Sequence, residues 1–362
     1  MRVLVVNAGS SSLKLSVLEG DELIGARELP APRATIDAEP LEAAVLDLGP
    51  VDAVGHRIVH GGSQYLEPVR IDDDVLAGLR GLSDLAPLHQ AKSLAALAAV
   101  STARPHCPAV ACFDTAFHAT IPPGAATYAL PRAWREKWGL RRFGFHGLSH
   151  SYAASRAAEL LQRPLEDLRI VTCHLGAGAS LAAIRSGRSV DTTMGFTPLE
   201  GLAMATRSGS VDPGLLLWLL ERTELGEQRM AHALEHESGM LALAGSADMR
   251  AVIGAAATGD ASAELALEVY VHRLRSGIAA MAAAMGGVEA VVFTGGVGEH
   301  EPAIRAAAAQ GLAFLGLGID PERNAGATGD ANVTATGTTV STLVVAARED
   351  LEIARQVAKV LA

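Results

Sequence analysis

Lysine is scarce in this chain of 362 residues: only Lys14, Lys92, Lys137 and Lys359 occur, so arginine supplies nearly all the positive charge. The planar guanidinium recognises carboxylate or phosphate in a bidentate way that an ammonium cannot. A basic surface is missing too. The net charge of −10 excludes nucleic acid or an anionic membrane as a bulk partner. An anionic small ligand stays open, because it needs only a locally basic pocket. The three cysteines, Cys107, Cys112 and Cys173, form no C-x-x-C pair, which argues against a disulfide framework and for reduced thiols in the cytoplasm. No long apolar run precedes Asn7, so no secretory signal is expected. The most apolar long segment, 276–293, is interrupted by Glu289 and reads as a buried helix running into a strand, not as a membrane span. Also absent are the P-loop, the G-x-S-x-G elbow, paired zinc motifs and the Rossmann G-x-G-x-x-G.

What is present suits two ordered domains, with 49% apolar and 19% charged residues over a length beyond one typical domain. Short apolar strand patterns recur at 2–6, 13–18, 51–55, 109–112, 169–173, 180–184, 290–293 and 342–346. Helical periodicity falls at 74–81, 91–100, 150–162, 213–222, 262–285, 302–314 and 349–361. Strands alternating with helices define an α/β fold. VLVVNAGSSSLKLSV near the start is echoed by IVTCHLGAGASLAAI at 170–184. Each is an apolar strand ending in a polar residue, a small-residue turn, then a second strand. The echo predicts a duplicated α/β domain whose two hairpin tips hold a phosphate chain in a cleft, with Lys14 beside the first tip. A third glycine turn, VVFTGGVGEHEPAIR at 291–305, lies between a strand and a helix, where a nucleotide or a plain tight turn would fit.

Four polar blocks could carry chemistry. In GHRIVHGG, Arg57 follows a strand and points either to solvent or into a ligand cleft. In CFDTAFH, Asp114 directly follows a strand, where α/β folds place functional groups, although capping a turn is an equal use. In RRFGFHGLSH, the pair His146 and His150 lacks a third zinc ligand, so a hydrogen-bonding role for His146 is favoured over ligation. DTTMGFTPLEGLAMATRSGSVDPG is a long aperiodic stretch containing Arg207, and such loops inside compact domains are usually functional. Two arginines, an acid and a histidine near phosphate-type turns suit phosphoryl transfer, where positioning and charge neutralisation dominate.

Eleven ordered blocks (NAGSSSLK, HRIVHGG, APLHQ, FDTAFH, FGFHGLSH, HLGAGAS, DTTMGFTPLEGLAM, TRSGSVDP, ESGMLALAG, FTGGVGE and REDLEIAR) together resemble the acetate kinase family, within the actin-like, sugar-kinase and heat-shock-protein ATPase superfamily. The resemblance implies duplicated actin-like, ribonuclease H-like domains with a cleft between them, at 1–118 plus 351–362 and at 119–350. It implies a cytoplasmic homodimer that phosphorylates acetate from ATP, giving acetyl phosphate and ADP, with Mg²⁺ or Mn²⁺. Arg57 and Arg207 would clamp the phosphoryl group and the acetate carboxylate, His146 would donate to the phosphoryl oxygens, and Asp114 would orient the nucleophile. Asn7 and Glu349 would place the metal. Val59, Leu88, Phe145 and Pro198 would wall the acetate methyl. Lys14, His174, Gly176, Gly178, Asp248, Met249, Arg250, Gly295, Gly296, Val297 and His300 would take the nucleotide.

The chain departs from the family pattern where Ala177, Gln90, His300 and Arg348 each stand at a position usually held by Asn, and the region 20–50 is trimmed. These changes cluster on the nucleotide side, so pyrophosphate, used by some members, is an alternative donor. Propionate or butyrate is an alternative acceptor, since one methylene changes binding by only ~1–3 kcal/mol. A sugar kinase of the same fold would need an aspartate base and polar groups for hydroxyls. An actin-like nucleotide switch would need neither Arg57 nor Arg207.

Overall fold

Two mixed sheets of six strands each carry the α/β architecture in this computed structural model, which describes residues 1–9, 12–30, 37–82 and 87–362, without the side chains of 87–89. The first sheet holds β1 (Arg2–Ala8), β2 (Ser12–Glu19), β3 (Glu22–Pro30), β4 (Ala53–Ile58), β5 (Val69–Arg70) and β6 (Ala109–Phe113). The second holds β7 (Arg169–Leu175), β8 (Ala179–Arg185), β9 (Arg188–Thr192), β10 (Ala290–Thr294), β11 (Ala331–Asn332) and β12 (Ser341–Val344). Their orders are β3-β2-β1-β4-β6-β5 and β9-β8-β7-β10-β12-β11. The two topologies coincide strand for strand. In each, the first three strands pair antiparallel, the central ones parallel, and a two-residue strand closes the far edge antiparallel. The echo between the two sequence stretches is thus a real duplication, with Asn7 and His174 at matching positions opposite Lys14 and Ser180.

The cause lies in the apolar runs. Val3 to Val6 in β1 and Ala290 to Thr294 in β10 are buried throughout, which a strand flanked on both sides and covered on both faces requires. The chain divides into two compact units. One comprises Met1–Ala119, Phe145–Tyr152 and Arg348–Ala362; the other comprises Thr120–Gly144 and Ala153–Ala347. The segment Phe145–Tyr152, expected in the second domain, packs with the first unit. Gly147 donates its N–H to the Asp114 carbonyl at 2.9 Å, and a Cβ there would fall 2.2 Å from that oxygen. The helix Glu349–Leu361 buries Leu351, Ile353, Ala354 and Val357 against β1, β4 and β6. Gly55 makes that approach close, since a Cβ there would meet Ile353 at 2.5 Å.

Two expectations are corrected. The strand expected at 51–55 is Ala53–Ile58, so Arg57 lies within the strand and not after it; parallel pairing with both β1 and β6 holds the backbone extended through the polar residues. The helix expected to reach 314 stops at Gln310, capped by Gly311, and the chain continues as a separate short turn at Ala313–Leu315.

Candidate active site

In the first unit, the carboxyl ends of β1, β4 and β6 gather a charged network. Arg57 donates from Nε to Asp114 Oδ1 at 3.0 Å, from Nη2 to Oδ2 at 2.6 Å, and from Nη1 to Asn7 Oδ1 at 2.9 Å. Asn7 Nδ2 donates in turn to Glu349 Oε2 at 2.8 Å, and that oxygen lies 3.4 Å from Arg57 Nη1. The fork is a bidentate guanidinium–carboxylate pair. Its side chains are nearly enclosed, with Arg57 12% and Asp114 2% exposed. Burial works against the Arg57 charge, but Asp114 and Glu349 raise its proton affinity above the usual value. Burial pushes the Asp114 carboxyl up, while Arg57 and the backbone N–H of His146 pull it back. One guanidinium thus lies between two carboxyl groups.

His146 stands beside this network in the left-handed region, at φ 56°, a conformation that costs about 1–3 kcal/mol for a residue with a Cβ and is found at functional sites. Phe145 is buried and meets the His60 ring edge-on at 5.5 Å; Val59, next in chain to His60, is buried as well. Lys92 donates to the carbonyl of Gly9 at 2.6 Å, pinning the first hairpin tip.

The second unit brings another group together. A cavity of about 410 Å³ is lined by Gly176 and Ala177 of the hairpin tip, by Ala205, by Met240 and Ala247 to Arg250, by Tyr270, and by Gly296, Val297, His300 and Glu301. Gly176 donates to the Gly178 carbonyl at 3.0 Å, closing the tip. Gly295 takes φ 77°, with a Cβ site only 2.9 Å from the Leu175 carbonyl. Asp248 accepts from the backbone N–H of Arg250 and caps the helix Met249–Ala257; the Arg250 side chain holds that carboxyl below its ordinary value. Arg207 is differently placed from Arg57. It donates to the Pro198 carbonyl at 3.3 Å, its Glu235 partner is 3.9 Å away, and burial lowers its proton affinity against that weak opposing charge. A buried, under-neutralised guanidinium suits an incoming anion.

The expected residues therefore fall into two sets. Asn7, Arg57, Val59, Asp114, Phe145, His146 and Glu349 belong to the first unit, and His174, Gly176, Gly178, Pro198, Arg207, Asp248, Met249, Arg250, Gly295, Gly296, Val297 and His300 to the second. Lys14 is exposed on β2 in the first unit and is not part of the cavity lining. The Leu88 side chain lies outside the described residues. Arg348 turns onto Asp350 at 2.9 Å. Sequence reasoning missed Lys92, whose signal was its rarity, and Tyr270, Met240 and Glu301, which no local pattern marks.

Duplicated sheets of this topology, with an arginine–carboxylate network at the strand ends of one and a cavity of about 410 Å³ on the other, belong to the two-domain actin-like ATPase fold. The family model of the acetokinase family matches residues 34–355, and the chain belongs to that family. A Clavibacter michiganensis subsp. michiganensis protein named acetate kinase is 47% identical, over 98% of each chain. The crystal structure of Porphyromonas gingivalis acetate kinase aligns with a TM-score of 0.91 at 35% identity, covering 100% of both chains. A propionate kinase from Francisella tularensis subsp. tularensis SCHU S4 also aligns at 0.91, with 32% identity and 99% of both chains covered. The protein is thus an enzyme that transfers phosphate to a carboxylate.

Proposed function

We propose that the enzyme is an acetate kinase, moving the γ-phosphoryl group of ATP to acetate reversibly by direct in-line displacement, with acetyl phosphate and ADP as products. The Arg57 network carries the reading. Acetate is ionised at neutral pH and needs no general base, so the barrier is repulsion between two anions, which fixed cations remove. Asp114 and Asn7 hold the Arg57 guanidinium in one plane, so it offers its charge without reorganising when the anions arrive. Arg207 supplies the second positive charge. His146, held in the left-handed backbone region, donates to the transferring group. In the first unit the buried Val59 and Phe145 give the acetate methyl an apolar wall.

Mg²⁺, or Mn²⁺ in its place, belongs to this reading. The donor set fits a hard cation, because the Asp114 and Glu349 carboxyls and the Asn7 amide carbonyl offer oxygen ligands. Among the described residues no three His, Cys, Asp or Glu side chains gather as a cage; Mg²⁺ is commonly held by one or two carboxylates, with water and substrate phosphate completing its shell. Asn7 and Glu349 would hold the ion, which when bound neutralises phosphate charge.

The reading includes a cytoplasmic homodimer. Helix Pro213–Arg222 leaves Leu215, Leu217 and Trp218 exposed at 47%, 61% and 54%, apolar surface that a second copy would cover. Light scattering on the purified protein should give twice the 37.4 kDa chain mass; a monomer at micromolar concentration would remove the dimer.

The test of activity is hydroxylamine trapping of acyl phosphate, crossing ATP, GTP and pyrophosphate with acetate, propionate and butyrate. ATP with acetate should give the highest kcat/KM. Activity with pyrophosphate alone would replace the donor, a preference for a longer acid would replace the acceptor, and no turnover with any pair would end the kinase reading.

A further inference from the structure

Arg57 and Arg207 are held in different ways, and the difference singles out Glu235 in the second unit. The Arg57 guanidinium is closed upon by Asp114 at 2.6 Å. Arg207 donates a single hydrogen bond, to the Pro198 carbonyl at 3.3 Å, and the Glu235 carboxylate stops 3.9 Å from its Nε. That gap exceeds hydrogen-bond length, so the two charges attract without contact. The backbone around them is firmly tied. Ser208 donates to the Leu234 carbonyl at 3.0 Å and Ser238 to the Thr206 carbonyl at 2.9 Å, while the Thr206 hydroxyl donates to the Glu235 carbonyl at 2.9 Å. Gly239 takes φ 64°, and a Cβ there would fall 2.7 Å from the Arg207 carbonyl. These contacts fasten the Arg207 turn to the C-terminal end of helix Glu227–His236. The spacing between guanidinium and carboxylate is therefore built into the fold. A tight pair does form at the same helix end, where Glu237 closes on Arg229 at 2.6 Å. The Glu235 carboxylate, by contrast, accepts no hydrogen bond among the described residues; its bond to the loop is made by the carbonyl.

We propose that Glu235 is a positioning residue for the reaction: a counter-charge held out of contact, it directs the Arg207 guanidinium and leaves its N–H groups to the substrate anion. The inference rests on the proposed role of Arg207 in phosphoryl transfer and adds the residue that orients it. A guanidinium carries five N–H donors, and the Pro198 carbonyl takes one of them. A carboxylate in full contact would take more, and the incoming anion would then have to displace it. Without Glu235, the bond to Pro198 alone would orient the group. Burial disfavours the Arg207 charge and Glu235 opposes that effect, so the same carboxylate steadies both the charge and its direction.

The discriminating variant is Glu235→Gln, which keeps the size of the side chain and removes its charge. Trapped acyl phosphate formation from ATP, with acetate varied, would give kcat and KM, with thermal unfolding alongside. We expect kcat to fall about tenfold, less than the roughly hundredfold that a misplacement of about 1 Å can cost. The acetate KM should hold or fall, because the guanidinium charge remains and a competing anion is gone. Glu235→Asp, which restores the charge, should return most of the lost kcat. In an Arg207→Ala background Glu235→Gln should change nothing further, since no guanidinium is left to orient. A wild-type kcat in Glu235→Gln overturns the proposal and leaves the kinase reading intact. An aspartate variant no faster than the glutamine one, or the full loss repeated without Arg207, overturns it as well. A raised KM in place of a lowered kcat, or a Tm several degrees lower, makes the side chain structural and does the same. A wild type with no turnover on any donor and acceptor removes the kinase reading and this proposal together.

Discussion

Alanine at Arg57 or at Arg207 should lower kcat/KM for acyl phosphate formation by about 10³- to 10⁵-fold, or ~4–7 kcal/mol, the range over which a guanidinium on a transferring phosphoryl group acts. The two variants should part company in stability. Removing Arg57 takes away the guanidinium that faces the Asp114 carboxylate, which is 2% exposed in a nearly enclosed pair. Breaking a buried pair this way costs about 3–5 kcal/mol, which for a protein of this size lowers Tm by roughly 5–15 °C. Removing Arg207 gives up one bond to the Pro198 carbonyl at 3.3 Å and a 3.9 Å approach to Glu235, so Tm should move by no more than a few degrees. Arg57→Lys keeps the charge but cannot reproduce the two-pronged contact with Asp114, and most of the rate loss should remain. Steady-state kinetics and differential scanning calorimetry on the same preparations check this. An Arg207→Ala enzyme retaining more than a tenth of the wild-type rate would take that residue out of the chemistry, and an unchanged Tm for Arg57→Ala would refute the account of the network.

The pattern of what the sequence reveals follows from which forces are local. The strands β1 and β10 are legible because burial on both faces demands unbroken apolar runs. The strand β3 was not foreseen, since in Glu22–Pro30 every position is exposed or half-buried and no alternation is imposed on an edge. Asp114 was visible as a site residue because it sits where a parallel strand ends. Glu349 gave no such sign and came only from family resemblance; its role depends on helix Glu349–Leu361 packing back onto β4 across nearly 300 residues of chain. Lys92 reaches a carbonyl 83 residues away, and Tyr270 differs from a core phenylalanine by one atom. Long-range partners of this kind leave no periodic trace. The same holds for Phe145–Tyr152, assigned to its unit by the Gly147–Asp114 approach.

Acid should unfold the first unit ahead of the second. His56, His60 and His118 are all buried in it, and burial depresses each imidazole from the ordinary 6.5 to about 4. For His118 the bond between Nε2 and the Phe145 carbonyl, at 3.0 Å, opposes the shift only in part. The neutral tautomers are fixed by their partners. That carbonyl keeps the His118 proton on Nε2, and the N–H of Gly62 donates to His60 Nδ1 at 2.8 Å, so a second proton on His60 breaks an existing bond. The folded pKa lies below the unfolded one. The stabilisation is therefore complete above pH 6.5 and is lost as pH falls toward 4, because the unfolded chain takes up protons that the folded chain refuses. Each histidine contributes about 1.4 kcal/mol per pH unit in that window, so by pH 5 the three together remove roughly 6 kcal/mol, comparable with the whole stability of a typical domain. Hydrogen-exchange mass spectrometry between pH 7.5 and 4.5 should show peptides from Met1–Ala119 losing protection before those from Ala153–Ala347. His56→Phe, which cannot be protonated, should flatten the pH dependence by about a third. The ordering has a mechanistic edge, because His60 packs on Phe145 and His118 holds the Phe145 carbonyl. Protonating them loosens the residue next to His146, so activity should fade in the same window in which the first unit's amides begin to exchange. Protection lost first in the second unit, or a stability that stays flat from pH 6.5 to 4, would mean that these imidazoles find a way to carry charge inside the fold.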